Sequence, residues 1–267
     1  MLICQLSDLH MCAPGKLAYG SVDTNALSER ALAAVAAFDP APAALLITGD
    51  IANDGGAAEY AAFRSAVARH VTAPVYVIPG NHDERDQLRR ALAGWPGLHD
   101  GGRFIQYVVE TLPVRLVMLD THVPGQNYGA LCDERLAYLE SALAAAPERP
   151  TLVAMHHPPF TCGIGFMDGD GLRDIAAFAA VIARHRQVRQ IVCGHVHRTV
   201  FGQCAGVPAL IAPSPCHNMA LALEPGAPGS YVLDPPAFIA HRWTPEGGFA
   251  SHVAFAGPMP GPFPFLA

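Results

Sequence analysis

Two imidazoles, His195 and His197, close the apolar run IVCGHVH at residues 191–197, and another pair, His156 and His157, closes TLVAMHH. Three earlier apolar runs end in the same kinds of residue. LICQLSDLH ends in Asp8 and His10, AALLITGDIAN in Asp50 and Asn53, and PVYVIPGNHDE in Asn81, His82 and Asp83. Carboxylates, neutral imidazoles and an amide oxygen form a mixed oxygen and nitrogen donor set. Such a set suits Mn, Fe, Co or Zn and differs from the thiolate sites of structural zinc. There are enough donors for two ions, and a carboxylate is able to bridge a pair of cations. Any single H-x-H or D-x-H is more often a pair of loop or capping residues. Five strand-like runs ending only in Asp, Asn and His point to metal binding.

The elements that position these groups follow from the pattern around them. Short apolar runs alternate with helical stretches near 24–38, 57–69, 84–93, 133–145 and 173–185, while RFIQYVVE and VRLVMLD, separated by TLP, predict a hairpin. Strands alternating with helices, with some hairpins, imply an α/β protein with mixed sheets. In open α/β folds ligands bind beyond the carboxyl ends of the strands, where all of these residues lie. If the strand persists through IVCGHVH, His195 and His197 share a face. The same parity turns His157 away from His156, giving it a structural role, and turns Arg198 away from His197. After about residue 199, β-like runs (TVFGQC, VPALIA, SYVLD, AFIAHRW) predict strands completing a sheet, followed by an irregular tail, FAGPMPGPFPFLA. The expected organisation is a core over 1–204, with 205–267 completing the same domain and available for oligomer contacts.

Composition narrows the function. Of 267 residues 51% are hydrophobic and 15% charged, which implies a sizeable core rather than disorder. The formal net charge of −6 and the absence of a basic run argue against a nucleic-acid polymer as partner. Seven dispersed Cys without a C-x-x-C spacing suggest reduced thiols in a cytoplasmic protein. No apolar stretch is long enough to predict a membrane span, and because the first strand starts at Leu2 no signal peptide is expected within this sequence, a cleavage ahead of Met1 staying open. There is no G-x-S-x-G elbow and no Gly-rich phosphate loop with Lys, so serine-hydrolase and P-loop chemistry are unsupported.

In order, D-x-H, G-D, G-N-H-[DE], a lone His and G-H-x-H, spanning residues 8 to 197, resemble the calcineurin-like metallophosphoesterase superfamily. YGSVD, GDIANDGGAAEY, MHHPPF and the MD at 167–168 are similar to the bacterial class III phosphodiesterases, which include cyclic-nucleotide phosphodiesterases and glycerophosphodiesterases. The resemblance implies a four-layer αββα sandwich with two mixed sheets and two metal ions at the strand ends. Carried over residue by residue, one ion takes Asp8, His10 and His197, the other Asn81, His156 and His195, and Asp50 bridges them. His82 then reaches the phosphate or the leaving group, and His217, in APSPCHN, approaches substrate. Related glycerophosphodiesterases are oligomeric, which suggests a homo-oligomer here.

Two cations about 3.5–4 Å apart lower the pKa of a shared water and clamp phosphoryl oxygens, so hydroxide attacks phosphorus in line and no protein nucleophile is needed. The expected activity is hydrolysis of a small phosphodiester of glycerophosphodiester or cyclic-nucleotide type. The alternatives are a phosphomonoesterase on the same core and a metal-bound scaffold without turnover. Near the ligands the sequence offers mainly neutral or switchable groups (His82, His217, Asn53, Tyr19), which favours a diester monoanion over a monoester dianion. Phe160 and Phe166 are candidates to hold a leaving-group arm. Asn53 and Asp83 are expected to orient ligands, Asp120 to be a turn residue, Cys12 to stand outside the ligand set, and His70, His99 and His185 to lie on the surface. In the tail, Met259, Phe263, Phe265 and Leu266 are expected to pack on their own domain or on a neighbouring subunit.

Overall fold

The structure, a computed structural model, describes residues 1–98, 102–257 and 259–265. Within them two large sheets face each other. The first has the order β13-β12-β1-β2-β3. Its parallel centre is β1 (Leu2–Leu6), β2 (Ala44–Thr48) and β3 (Val75–Ile78), extended antiparallel by β12 (Ala237–Thr244) and β13 (Gly248–Phe255). The second has the order β4-β5-β6-β7-β9-β8. It comprises β4 (Tyr107–Val109), β5 (Arg115–Met118), β6 (Thr151–Ala154), β7 (Val188–Cys193), β8 (Val200–Cys204) and β9 (Val207–Ile211). Here β5, β6, β7 and β9 are parallel and the two edge strands antiparallel. The remaining strands, β10 (Asn218–Met219) and β11 (Tyr231–Val232), form a separate two-stranded ribbon.

Side-chain alternation shows why the sheets stack. Along β5 and β6, Leu116, Met118, Leu152 and Ala154 enter the core shared with the first sheet, while Val117, Leu119, Val153 and Met155 enter a second core beneath the helices. Both faces are therefore buried, which explains why these runs read as continuously apolar. Helices α1 (Thr24–Ala36), α2 (Ala57–His70) and α3 (Arg85–Ala91) supply Leu32, Val35, Phe63, Ala66 and Leu88 to the first core. Helices α4 (Asp133–Ala144) and α6 (Ile175–Ile182) supply Leu139, Leu143, Phe178 and Ile182 to the second, and the short α5 (Gly165–Gly169) adds Met167. The result is the expected αββα sandwich with two mixed sheets. Local signals set the helix starts: Asp23 accepts from Ala26 N at 3.0 Å, and Glu59 accepts from Gly56 N at 2.9 Å.

Several expectations are corrected. The hairpin forms, but its first strand is only Tyr107–Val109. SYVLD adds to no large sheet, since β11 pairs only with β10 among the described residues. β13 was not expected; it is an edge strand whose half-exposed residues leave no clean alternation to read. The tail does not pack on its own domain, because Met259 is 54% exposed and Phe263 76%. Leu266 and His99 lie outside the described residues.

Candidate metal centre

Five strand ends converge: Asp8 and His10 after β1, Asp50 after β2, Asn81 after β3, His156 after β6, and His195 and His197 after β7. All but Asn81 are buried. The expected parity of His195 and His197 is corrected, because β7 stops at Cys193. Both rings are instead aimed by left-handed backbone, at φ 73° and 57°. Asp8, His10 and Asp50 share that conformation, at φ 56°, 44° and 49°. Non-glycine residues there are uncommon, and their concentration in one place marks a functional site.

The glycines that precede the ligands have a steric reason. A Cβ at Gly194 would collide with Ser7 Oγ and the Asp8 carboxylate. One at Gly49, where φ is +97°, would collide with the His156 ring. Two segments can approach this closely only without a side chain between them.

The donor atoms fall into two groups joined by Asp50. In the first, His10 Nε2 lies 3.1 Å from His197 Nε2 and 3.6 Å from Asp50 Oδ2, and His197 Nε2 lies 3.4 Å from Asp8 Oδ1. In the second, Asn81 Oδ1 lies 3.1 Å from His156 Nε2 and 3.0 Å from His195 Nδ1, while His156 Nε2 lies 3.5 Å from Asp50 Oδ2. Metal–ligand bonds of about 2.0–2.2 Å place neighbouring donors about 3–3.5 Å apart, so both groups have the spacing of a coordination shell. Tautomers agree. His156 Nδ1 donates to Thr48 O at 2.7 Å and His197 Nδ1 donates to His217 O at 3.1 Å, leaving each Nε2 lone pair directed inward.

The electrostatics also call for cations. Burial pushes the Asp8 carboxyl up to about 7, with the Asp50 charge adding to the effect. Asp50 meets the same burial, but the surrounding imidazoles, His156 foremost, outweigh it and hold the carboxyl well below its usual range. Burial and neighbouring imidazoles lower His195 to about 3. The Asp50 carboxylate in turn raises His156 to about 9, so protons stand in for positive charge in a buried donor set that metal ions would satisfy better.

Around this core, His82 is exposed, its backbone N–H donates to Asp50 Oδ1 at 2.8 Å, and its Nδ1 meets Asn53 O at 2.7 Å. Asp83 is the orienting group it was expected to be: it accepts from Gly80, Ile51 and Ala52 N–H groups and from the Tyr60 hydroxyl. Asn53 contributes its backbone carbonyl rather than its amide, which bonds Asp54. His217 is buried with its ring 4.5 Å from that of His197, and its Nε2 meets Tyr19 OH at 3.2 Å. Tyr19 stacks on Tyr231 at 4.9 Å. A cavity of about 270 Å³ opens over the cluster, lined by Tyr19, His82, Asn127, Phe166, Asp170 and Met219 among others.

Other expected roles need amendment. His157 sits beside His156 and His195, with ring centroids 4.8 and 4.5 Å away, rather than on an opposite face. Both of its ring nitrogens have partners, Nδ1 meeting Thr121 Oγ1 at 2.8 Å and Nε2 meeting Asn127 O at 2.9 Å. Arg198 is occupied by Met219 O at 2.8 Å and Asp234 at 3.1 Å. Phe160 lines no part of the cavity and packs into the second core, against Gly202. Asp120 is not a turn residue but a fully buried acceptor. Arg85 bonds both of its oxygens, at 2.6 and 2.8 Å, and Ile105 N donates at 2.9 Å. His185 is buried against Glu140 at 3.0 Å, not on the surface. Cys12 stands apart from the donors, its thiol 3.6 Å from His10 O. His70 is half-buried and 3.6 Å from Glu29.

Residues 1–199 match the family model for calcineurin-like phosphoesterases. The chain is a calcineurin-like phosphoesterase. This phosphoesterase is 35% identical over 266 residues to a probable glycerophosphodiester phosphodiesterase of Arcobacter nitrofigilis, covering 99% of this chain and 97% of that one. It is 34% identical over 245 residues to a 3′,5′-cyclic adenosine monophosphate phosphodiesterase of Pseudomonas aeruginosa, covering 91% and 84%. Among solved structures, a purple acid phosphatase of yellow lupin shares the phosphoesterase's fold with a TM-score of 0.69 at 12% identity, covering 96% of this chain and 51% of the other. No helix among the described residues is long and apolar enough to cross a membrane.

Proposed function

We propose that the protein is a two-metal phosphodiesterase that hydrolyses a small phosphodiester of the glycerophosphodiester or cyclic-nucleotide type. Asp8, His10 and His197 hold one ion, Asn81, His156 and His195 the other, and Asp50 bridges them. The observation that carries this reading is the place of Asp50 Oδ2, 3.6 Å from His10 Nε2 in one donor group and 3.5 Å from His156 Nε2 in the other. Divalent or transition ions there (Mn, Fe, Zn or Co) supply Lewis acidity and a water acidic enough to yield hydroxide near neutral pH.

The chain's own groups supply the rest. His82 Nδ1 is committed to Asn53 O, which leaves Nε2 to donate to a phosphoryl or leaving-group oxygen. Burial opposes the charged form of His82, but the Asp50 carboxylate and the Asn53 carbonyl outweigh it and raise the pKa, favouring the donor state. His217, with Tyr19 on its Nε2, stands beside the first donor group as the substrate-side imidazole. The cavity lining includes no Arg or Lys, and Phe166 and Met219 give an organic arm apolar contact. That lining favours a diester over a dianionic monoester. Names of relatives at 34–35% identity over most of the chain support the same class.

On this reading residues 1–204 carry the catalytic core. Residues 205–267 complete the same domain through β12 and β13 and present Leu221, Leu223, Met259 and Phe263, all exposed, to another copy of the chain in a homo-oligomer. The substrate is a small molecule and not a nucleic-acid polymer, and the protein works in the cytoplasm. The decisive experiment compares kcat/KM for bis(p-nitrophenyl) phosphate and p-nitrophenyl phosphate at one pH with one metal. Metal-dependent preference for the diester is expected. Monoester preference would move the assignment to a phosphatase, and no metal-dependent release would leave a scaffold. Light scattering on the full chain and a tail-deleted form tests the assembly; a monomer in both ends that part.

A further inference from the structure

A buried polar chain outside the donor groups joins the two sheets directly behind them. Gln5, on β1, has its side chain fully buried, and both amide hydrogens are used. Nε2 donates to Thr48 Oγ1 at 2.9 Å and to Cys193 O at 2.9 Å. Thr48 is the last residue of β2 and Cys193 the last of β7, so one amide ties the two strand ends that lead into Asp50 and into His195 and His197. The carbonyl of the same Thr48 also takes His156 Nδ1.

The orientation of that amide is set from behind. With both hydrogens committed, Gln5 Oε1 must accept, and His241 Nε2 on β12 meets it at 3.0 Å. His241 Nδ1 then accepts from Ser251 Oγ at 2.8 Å, and Ser251 Oγ accepts from Gln190 Nε2 on β7 at 3.0 Å. Each member has one role available. The opposite tautomer of His241 would set two acceptors against each other, and a flipped Gln5 amide would set Oε1 against the Cys193 carbonyl.

We infer that Gln5, oriented by His241, is a positioning residue for the metal centre: a clip that sets the spacing of the two sheets where their ligands meet. Because the donor atoms are taken as metal ligands, as proposed above, the clip fixes how far Asp50 stands from His195 and His197. Loss of the amide leaves the hydrophobic core in place, reduces the Thr48 hydroxyl to its long donation to Leu6 O at 3.5 Å, empties one acceptor site on the Cys193 carbonyl, and frees the two strand ends to shift.

The test titrates Mn(II) into chelator-stripped full-length protein, reading free Mn(II) by electron paramagnetic resonance. Wild type, Gln5→Met, His241→Phe and Ile239→Val are compared. Ile239 is buried and pairs with Gln5 across β12 and β1, so its variant perturbs the same place without touching the polar chain. Gln5→Met is expected to weaken Mn(II) binding at least tenfold and His241→Phe three- to tenfold. Ile239→Val stays within twofold of wild type, even where its melting temperature falls as far. Nitrogen NMR of wild type shows His241 as the neutral Nε2–H tautomer at pH 7, and that signature is lost in Gln5→Met. Unchanged Mn(II) affinity in Gln5→Met overturns the clip, as does equal weakening in Ile239→Val. Failure of the wild type to bind two Mn(II) removes the metal centre itself and the clip with it.

Discussion

The two sheets contribute different chemistry to one site. The first supplies Asp8, Asp50 and Asn81 with a single imidazole, His10; the second supplies only imidazoles, His156, His195 and His197. Hard oxygen donors and borderline nitrogen donors therefore arrive mainly from opposite walls, and neither wall alone completes either donor group. Both walls are held alike: the parallel strands at the centre of each are buried, and the inter-sheet core draws side chains from both. Ligand geometry is consequently a matter of how the sheets dock, and ion binding and docking reinforce each other.

Asp50 Oδ2 stands between the two donor groups, and on the proposed two-metal reading its removal should break the comparison most severely. Asp50→Ala is expected to retain less than one metal equivalent by elemental analysis and to lose about three orders of magnitude in kcat/KM, the scale of several kcal/mol of charge stabilisation. Two equivalents in that variant would remove the bridging role. His156→Ala, taken from the nitrogen wall, should lose one equivalent and keep the other, and His157→Ala should keep both.

The link between the walls at Arg85 and Asp120 gives the next effect. Arg85 opens α3 just after Asn81 and His82, while Asp120 follows β5 in the other sheet. Asp120→Ala leaves a largely buried guanidinium without its carboxylate and should cost about 3–5 kcal/mol in urea unfolding. A loss below about 1 kcal/mol would show that Arg85 finds other partners, His122 O among them.

The smallest effect is a pH dependence at His241. Burial lowers its pKa from 6.5 to about 3. Between these values the unfolded chain holds a proton that the folded protein excludes, so wild-type stability falls as pH drops below 6.5. His241→Phe lacks that loss. The stability gap between wild type and variant should narrow by about 2 kcal/mol from pH 7 to pH 5. A gap constant with pH would mean that His241 takes up its proton without unfolding.

The residues that converge at the strand ends were legible because metal chemistry restricts residue type and strand ends restrict position; both restrictions are written locally, in D-x-H, G-N-H and G-H-x-H. The backbone that aims them was not. Left-handed φ at Asp8, Asp50, His195 and His197 cannot be anticipated from strand periodicity, and parity misplaced His157 because β6 ends at Ala154, before either imidazole. Long-range partners were equally hidden. Tyr19 meets His217 across 198 positions and Gln5 meets His241 across 236, with no local signal at either end. Asp120 read as a turn residue because its partner, Arg85, is 35 positions away, just past the end of the NHDE motif. Among folded elements, β13 escaped because an edge strand need not alternate.

The strand order of the first sheet has a consequence for synthesis on the ribosome. β1, which leads into Asp8 and His10, lies between β2 and β12, and Met1 N itself donates to Trp243 O at 3.0 Å. β2 emerges early, but the other flank of β1 waits until residues 237–244 are made, and β13 must then cover β12. Asp8 and His10 thus spend the interval between the synthesis of β1 and that of β12 beside an open strand edge, which exposed backbone from other nascent chains can pair with. A ribosome-stalled chain ending before residue 237 should hold metal poorly and aggregate readily, and one extended past residue 255 should do neither.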